Sequence, residues 1–134
     1  LYAEKKIFDQ VVAGVSDFAK KIKVGSGMEP GTQMGPVVST TQFERVNKMI
    51  EAGLAEGATI ATGGKPMSQD GYFIEPTVLV GVKESMRVVR EEIFGPVLVA
   101  QPIDDIADIA RVANDSPYGL AASVWTKDLS KAHK

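Results

Sequence analysis

The sequence predicts an α/β domain in which a mostly parallel sheet is layered with flanking helices. Two observations carry this. Stretches with helical apolar periodicity alternate with short continuous apolar runs, and those runs (TVLVGV, PVLVAQPI, LAASVWT) lack the polar alternation of a half-exposed strand. Strands covered on both faces read this way, and they belong to sheets with helices packed against them. A length of 134 residues, 44% hydrophobic and 24% charged, suits one globular domain.

The elements follow in order. Residues 3–23 place Ile7, Phe8, Val11, Val12, Val15, Phe18, Ala19 and Ile22 on one stripe, which predicts an amphipathic helix with Gly25 as its stop. GSGMEPGTQMGP (25–36) is a loop by its glycines and prolines. A second helix is predicted from about Thr41 to Glu56, with Phe43, Val46, Ile50 and Leu54 inward. Capping boxes are available at Ser39/Gln42 and Thr41/Glu44, and Gly57 closes the helix. ATIATGG (58–64) reads as a short strand ended by paired glycines, and KPMSQDG as a polar turn. A strand starts at Thr77, because Pro76 suits a strand's first position and not its centre. A helical turn then leads to one strand over 96–103. DDIADIARVAN (104–114) is helical by Ile106, Ile109, Ala110 and Ala113, with Asp104 or Asp105 as cap. NDSPYG breaks it, residues 120–126 form a further strand, and DLSKAHK opens another helix.

Charge and composition narrow the function classes. The net charge of −2 favours neither nucleic acid nor an anionic membrane. The cluster Lys20, Lys21 and Lys23 suits the last turn of a helix, where cations complement the macrodipole. With no cysteine there is no disulfide, thiolate metal site or cysteine nucleophile in these residues. The single histidine, His133, stands next to the last residue and is a poor base for a catalytic triad. No apolar run reaches membrane-spanning length, and charges interrupt the first residues too soon for a signal peptide. The expected location is cytoplasmic. The opening residues and the unfinished last helix predict a piece of a larger fold.

Two phosphate-binding patterns fail on inspection. GSGMEP has Pro30 where a dinucleotide fingerprint needs its third glycine, and it follows a helix instead of a strand. GGK (63–65) has Thr59 where a P-loop needs its first glycine, and Pro66 where it needs Ser or Thr. Asp104, Asp105 and Asp108 lie at a helix start, where acids favour the dipole, and lack the loop of a calcium site. No metal site is predicted.

One stretch remains unexplained by local rules. REEIFGPVLVA (90–100) sets two carboxylates, Glu91 and Glu92, at the entrance to a buried strand. EEIFGPV followed by NDSPYGLAASVWT, with QMGPVVSTTQFERV, EGATIATGG and GYFIEPTVLVGV upstream in that order, resembles the aldehyde dehydrogenase superfamily. The resemblance spans the whole chain and places it in the second half of the catalytic domain, after the nucleophilic cysteine and truncated at both ends. It leans towards phenylacetaldehyde and other aromatic aldehyde dehydrogenases, with betaine aldehyde and semialdehyde relatives sharing much of the pattern.

The resemblance implies roles position by position. Glu92 matches the glutamate that accepts hydrogen bonds from the nicotinamide ribose. An ionised carboxylate has the acceptors to take both hydrogens of a vicinal diol. Phe94 is expected beside the nicotinamide, and Leu120 at the wall of its pocket. Gln42 and Arg45, one helical turn apart, match positions approaching the adenosine ribose. Read locally, Gln42 is equally the N3 member of a capping box, Arg45 a solvated helix residue, Glu92 a solvated turn carboxylate, Phe94 and Leu120 core residues, and Glu91 a surface or ion-pair residue.

The resemblance further implies an NAD- or NADP-dependent oxidation of an aldehyde to a carboxylic acid through a cysteine thioester. The parent enzyme would be a homo-oligomer (dimer or tetramer). None of the catalytic residues is expected here, so the chain alone should be inert, should bind no NAD measurably, and should self-associate through uncovered apolar surface. The competing expectation is a non-catalytic α/β interaction module derived from the same fold.

Overall fold

The computed structural model describes residues 1–67 and 70–133, without the side chains of Ile106 and Ala107. Among the described residues, five short strands and five helices follow one another as β1 (Tyr2–Glu4), α1 (Phe8–Lys21), α2 (Thr40–Ala55), β2 (Thr59–Thr62), β3 (Thr77–Val80), α3 (Arg87–Arg90), β4 (Val97–Val99), β5 (Gln101–Ile103), α4 (Ile106–Asn114) and α5 (Leu129–Ala132). The α/β class is as expected, and parallel pairings predominate. β3 pairs β4 in parallel and β2 antiparallel, with a register shift between Ile60 and Thr62. β1 and β5 form a separate parallel pair.

The core lies between α2 and the three-stranded sheet. Val46, Met49 and Ile50 of α2 meet Leu79 of β3, Met86, Val88 of α3 and Ile93. Burying each such side chain stabilises the fold by about 1.5–3 kcal/mol. The helix α2 is well bounded. Ser39 caps it by accepting from the Gln42 N–H at 3.3 Å. At the other end Gly57, at φ 105°, lets its own N–H reach Leu54 O and that of Ala58 reach Gly53 O, a Schellman closure.

Four expectations need correction. The first helix begins at Phe8, because Tyr2–Glu4 extends to pair with Gln101–Ile103. Nothing local announces a partner so distant in sequence. The inner face of α2 is Val46, Met49, Ile50 and Gly53, with Phe43 half-buried against the same core as expected, while Leu54 is exposed. Gly53 is buried because a Cβ there would stand 2.8 Å from the Val88 side chain, so α2 and α3 meet at that point.

The run 96–103 divides in two at Ala100, which is fully buried. The Ala100 N–H still bonds Leu79 O at 2.8 Å, whereas the next N–H turns to Leu1 O at 2.9 Å, and the chain passes from one sheet to the other. Finally, residues 120–126 form no strand: they are exposed and pair with no described strand. Their apolar pattern expresses a preference for burial, but a ladder also needs a neighbour. The turn expected over 65–71 includes Ser68 and Gln69, which lie outside the described residues, as does the Ile106 side chain expected on the apolar face of α4.

Candidate cofactor-positioning site

The site forms where the first turns of α2 meet the loop running from Glu91 to Pro96. Ile93 anchors that loop by entering the core beside Val46 and Met49. Gly95 follows at a place where no side chain fits: a Cβ there would lie 2.5 Å from one γ-carbon of Val46 and 2.9 Å from the other. Pro96 then delivers its carbonyl to the Thr77 N–H at 2.8 Å, starting the β3–β4 pairing.

Side chains of α2 hold the loop from one side. The Gln42 amide nitrogen donates to Ile93 O at 3.2 Å and to Phe94 O. One turn on, Arg45 Nη2 donates to Glu92 O at 2.8 Å. Three successive carbonyls are therefore held by two side chains of one helix. Of the capping box expected at Gln42, the backbone half with Ser39 is formed, and the Gln42 side chain reaches the loop instead of returning to the cap. Arg45 is exposed but engaged.

The two carboxylates have different surroundings. Glu91 is bound by Arg87 in a bidentate pair, Nε–Oε1 2.8 Å and Nη2–Oε2 3.2 Å. The hydrogen bond from Arg87 holds the Glu91 carboxyl below the usual glutamate range. This is the ion-pair role anticipated for Glu91. Glu92 is exposed, and among the described residues its carboxylate has no hydrogen-bond or ion-pair partner, while its backbone is fixed by Arg45. Phe94 is 69% exposed and is the sole non-glycine residue described with a positive φ, 56°. A left-handed backbone at such a residue costs about 1–2 kcal/mol and persists only where surrounding contacts enforce it.

Of the five residues singled out from the sequence, Gln42, Arg45, Glu92 and Phe94 come together here. Leu120 does not join them: it stands 94% exposed on a segment that pairs with no described strand. Reading the sequence missed Arg87, Ile93 and the Gly95–Val46 contact. Arg87 could have been found from its spacing four residues before Glu91, whereas the other two depend on which surfaces meet.

Beside Arg45 a recess of about 230 Å³ opens between α2 and α3, lined by Thr41, Glu44, Arg45, Lys48, Met49 and Arg87. Complete small-molecule pockets run from about 300 to 1,000 Å³, so this recess is smaller than a complete pocket. A carboxylate with free acceptor oxygens and an exposed aromatic ring, two residues apart, suit a sugar diol and a flat ring attached to it. Among the described residues no group of three His, Cys, Asp or Glu could hold a metal ion. No described helix is long and apolar enough to cross a membrane.

Comparison with known proteins finds a match to the aldehyde dehydrogenase family over residues 1–134. The chain is 43% identical over 135 residues to a phenylacetaldehyde dehydrogenase of Pseudomonas fluorescens, covering 98% of this chain and 27% of that protein. It is 41% identical over 138 residues to a betaine aldehyde dehydrogenase of Bacillus subtilis, covering 100% and 28%. An NAD+ complex of an aldehyde dehydrogenase from Bacillus cereus superposes with a TM-score of 0.96 at 45% identity, covering 98% of this chain and 27% of that one. The chain thus spans little more than a quarter of the length of each of these proteins.

Proposed function

The chain belongs to the aldehyde dehydrogenase family, and on that premise we propose that it is a segment of the catalytic domain of an NAD- or NADP-dependent enzyme. The reaction is oxidation of an aldehyde, with water, to a carboxylic acid, the dinucleotide leaving reduced and a proton released. The cysteine nucleophile lies outside these 134 residues, which contain none. The contribution of this segment is to position the cofactor, and the segment by itself is inactive.

The observation that carries the proposal is the Glu92 carboxylate, exposed and without a partner among the described residues, on a loop whose backbone is held by Arg45 and Gln42. Glu92 would accept hydrogen bonds from the two hydroxyls of the nicotinamide ribose, and the ring of Phe94 would flank the nicotinamide. When bound, the dinucleotide supplies the hydride acceptor. The Gln42 amide nitrogen is occupied by loop carbonyls, but Oε1 remains an acceptor for an adenosine ribose hydroxyl. Arg45 keeps further N–H donors for the same sugar. Leu120 would wall the nicotinamide pocket once residues outside this chain cover it.

Relatives named for phenylacetaldehyde and for betaine aldehyde match to nearly the same identity. The aldehyde is therefore assigned to residues elsewhere in the enzyme, which we take to be a homo-oligomer. Glu92→Gln in that enzyme tests the proposal. Losing a charge-assisted acceptor is expected to slow hydride transfer about tenfold or more, read from the single-turnover rise of reduced-nicotinamide absorbance. Unchanged cofactor kinetics in this variant would remove Glu92 from the site.

A further inference from the structure

We infer that Gln42 and Arg45 are positioning residues, a clasp that keeps the Glu92–Phe94 loop in a strained shape that it would not keep alone. The inference rests on the cofactor reading of Glu92 and Phe94 and adds a task to two residues so far assigned only a ribose contact.

The argument begins with direction. Along extended backbone, consecutive carbonyls point to opposite sides. Here the carbonyls of Ile93 and Phe94 both reach one nitrogen, that of the Gln42 amide, and the residue between them has φ 56°. A left-handed turn at Phe94 brings the two carbonyls to the same side. Each part of the arrangement therefore requires the other: the turn presents both acceptors, and the shared donor offsets the strain of the turn.

Arg45 fixes the preceding carbonyl, that of Glu92, at 2.8 Å. Ile93 sinks into the core between them, and Gly95 lies against Val46 with no room for a side chain. The loop is thus fastened by Gln42, Ile93 and Gly95 on either side of Phe94. Glu92 and Phe94, on either side of the anchored Ile93, are exposed. Gln42 is itself placed by the Ser39 cap on its own N–H, so the geometry of the loop is inherited from the start of α2.

Gln42→Glu in the full-length enzyme separates the clasp from ribose binding. A carboxylate keeps the acceptors a ribose hydroxyl needs but cannot donate to two carbonyls, and it repels them. The expected result is hydride transfer slowed about tenfold in single turnover at saturating NAD+, where a change in affinity does not enter the rate. A crystal structure of the variant should show Phe94 out of the left-handed region. Wild-type hydride transfer at saturating NAD+, or Phe94 still near its original φ, would each overturn the inference. Glu92→Gln keeps the two ideas apart. Unchanged kinetics there sinks the ribose reading, while the Phe94 backbone in Gln42→Glu still decides the clasp.

Discussion

Replacing Gly95 by alanine adds one methyl group at the tightest contact in the site. Its Cβ would stand 2.5 and 2.9 Å from the two γ-carbons of Val46, where carbon atoms at optimal separation lie about 3.5–4.0 Å apart. The overlap of about 1 Å cannot be relieved by turning Val46 outward, because that residue is fully buried among Met49, Ile50 and Leu79. Nor does backbone conformation decide the effect, since the φ of Gly95 lies outside the left-handed region. The cost is therefore steric, about 1–3 kcal/mol by the usual penalty for overpacking a core.

The companion variant is Val46→Ala, which removes both clashing carbons and alone costs about 2 kcal/mol for the lost burial and the cavity. In the double variant the new methyl occupies the vacated space, so its cost should fall below the sum of the singles by about 1 kcal/mol or more. Equilibrium urea unfolding followed by far-ultraviolet circular dichroism gives all four free energies. Tryptophan emission is a poor probe because Trp125 is already 95% exposed when folded. Additivity within about 0.5 kcal/mol would refute the contact as the cause.

Three further outcomes are expected. Ser39→Ala removes the acceptor for the Gln42 N–H and should lower stability in the same unfolding assay by about 1 kcal/mol. The Arg87–Glu91 pair is pH dependent in a determined sense. Because the folded pKa of Glu91 is depressed, the pair contributes above the unfolded pKa and is lost as pH falls through the folded value, below the ordinary glutamate range. A carbon-detected NMR titration should return Glu91 to the ordinary glutamate range in Arg87→Ala. Lastly, the isolated chain should self-associate. It exposes 9105 Å², against roughly 6,800 Å² for a folded monomer of its mass, and Phe18, Leu120 and Trp125 are largely uncovered. Sedimentation velocity over a concentration series checks this, and a single monomer boundary throughout would contradict it.

Local chemistry determined much of this molecule from sequence alone. Ser39 and Gly57 mark the ends of α2 because capping and left-handed closure are decided within a few residues. Pro76 before β3 and the glycines after β2 are equally local. The importance of the Glu91–Pro96 loop was also readable, from charges standing where only core residues were expected and from the company of four other motifs.

Tertiary structure alone decided which surfaces meet. Tyr2–Glu4 becomes a strand because Gln101–Ile103 lies alongside it, and the apolar run 120–126 remains unpaired because no described strand does the same for it. Hydrogen bonds between strands join residues far apart in the chain, and periodicity carries no information about such partners. The same holds at the site. The family resemblance implied that Gln42, Arg45, Glu92 and Phe94 serve one dinucleotide, but not that the first two grasp the backbone of the others. That contact joins a helix and a loop some fifty residues apart, and it exists only because Ile93 and Val46 bring both against one core.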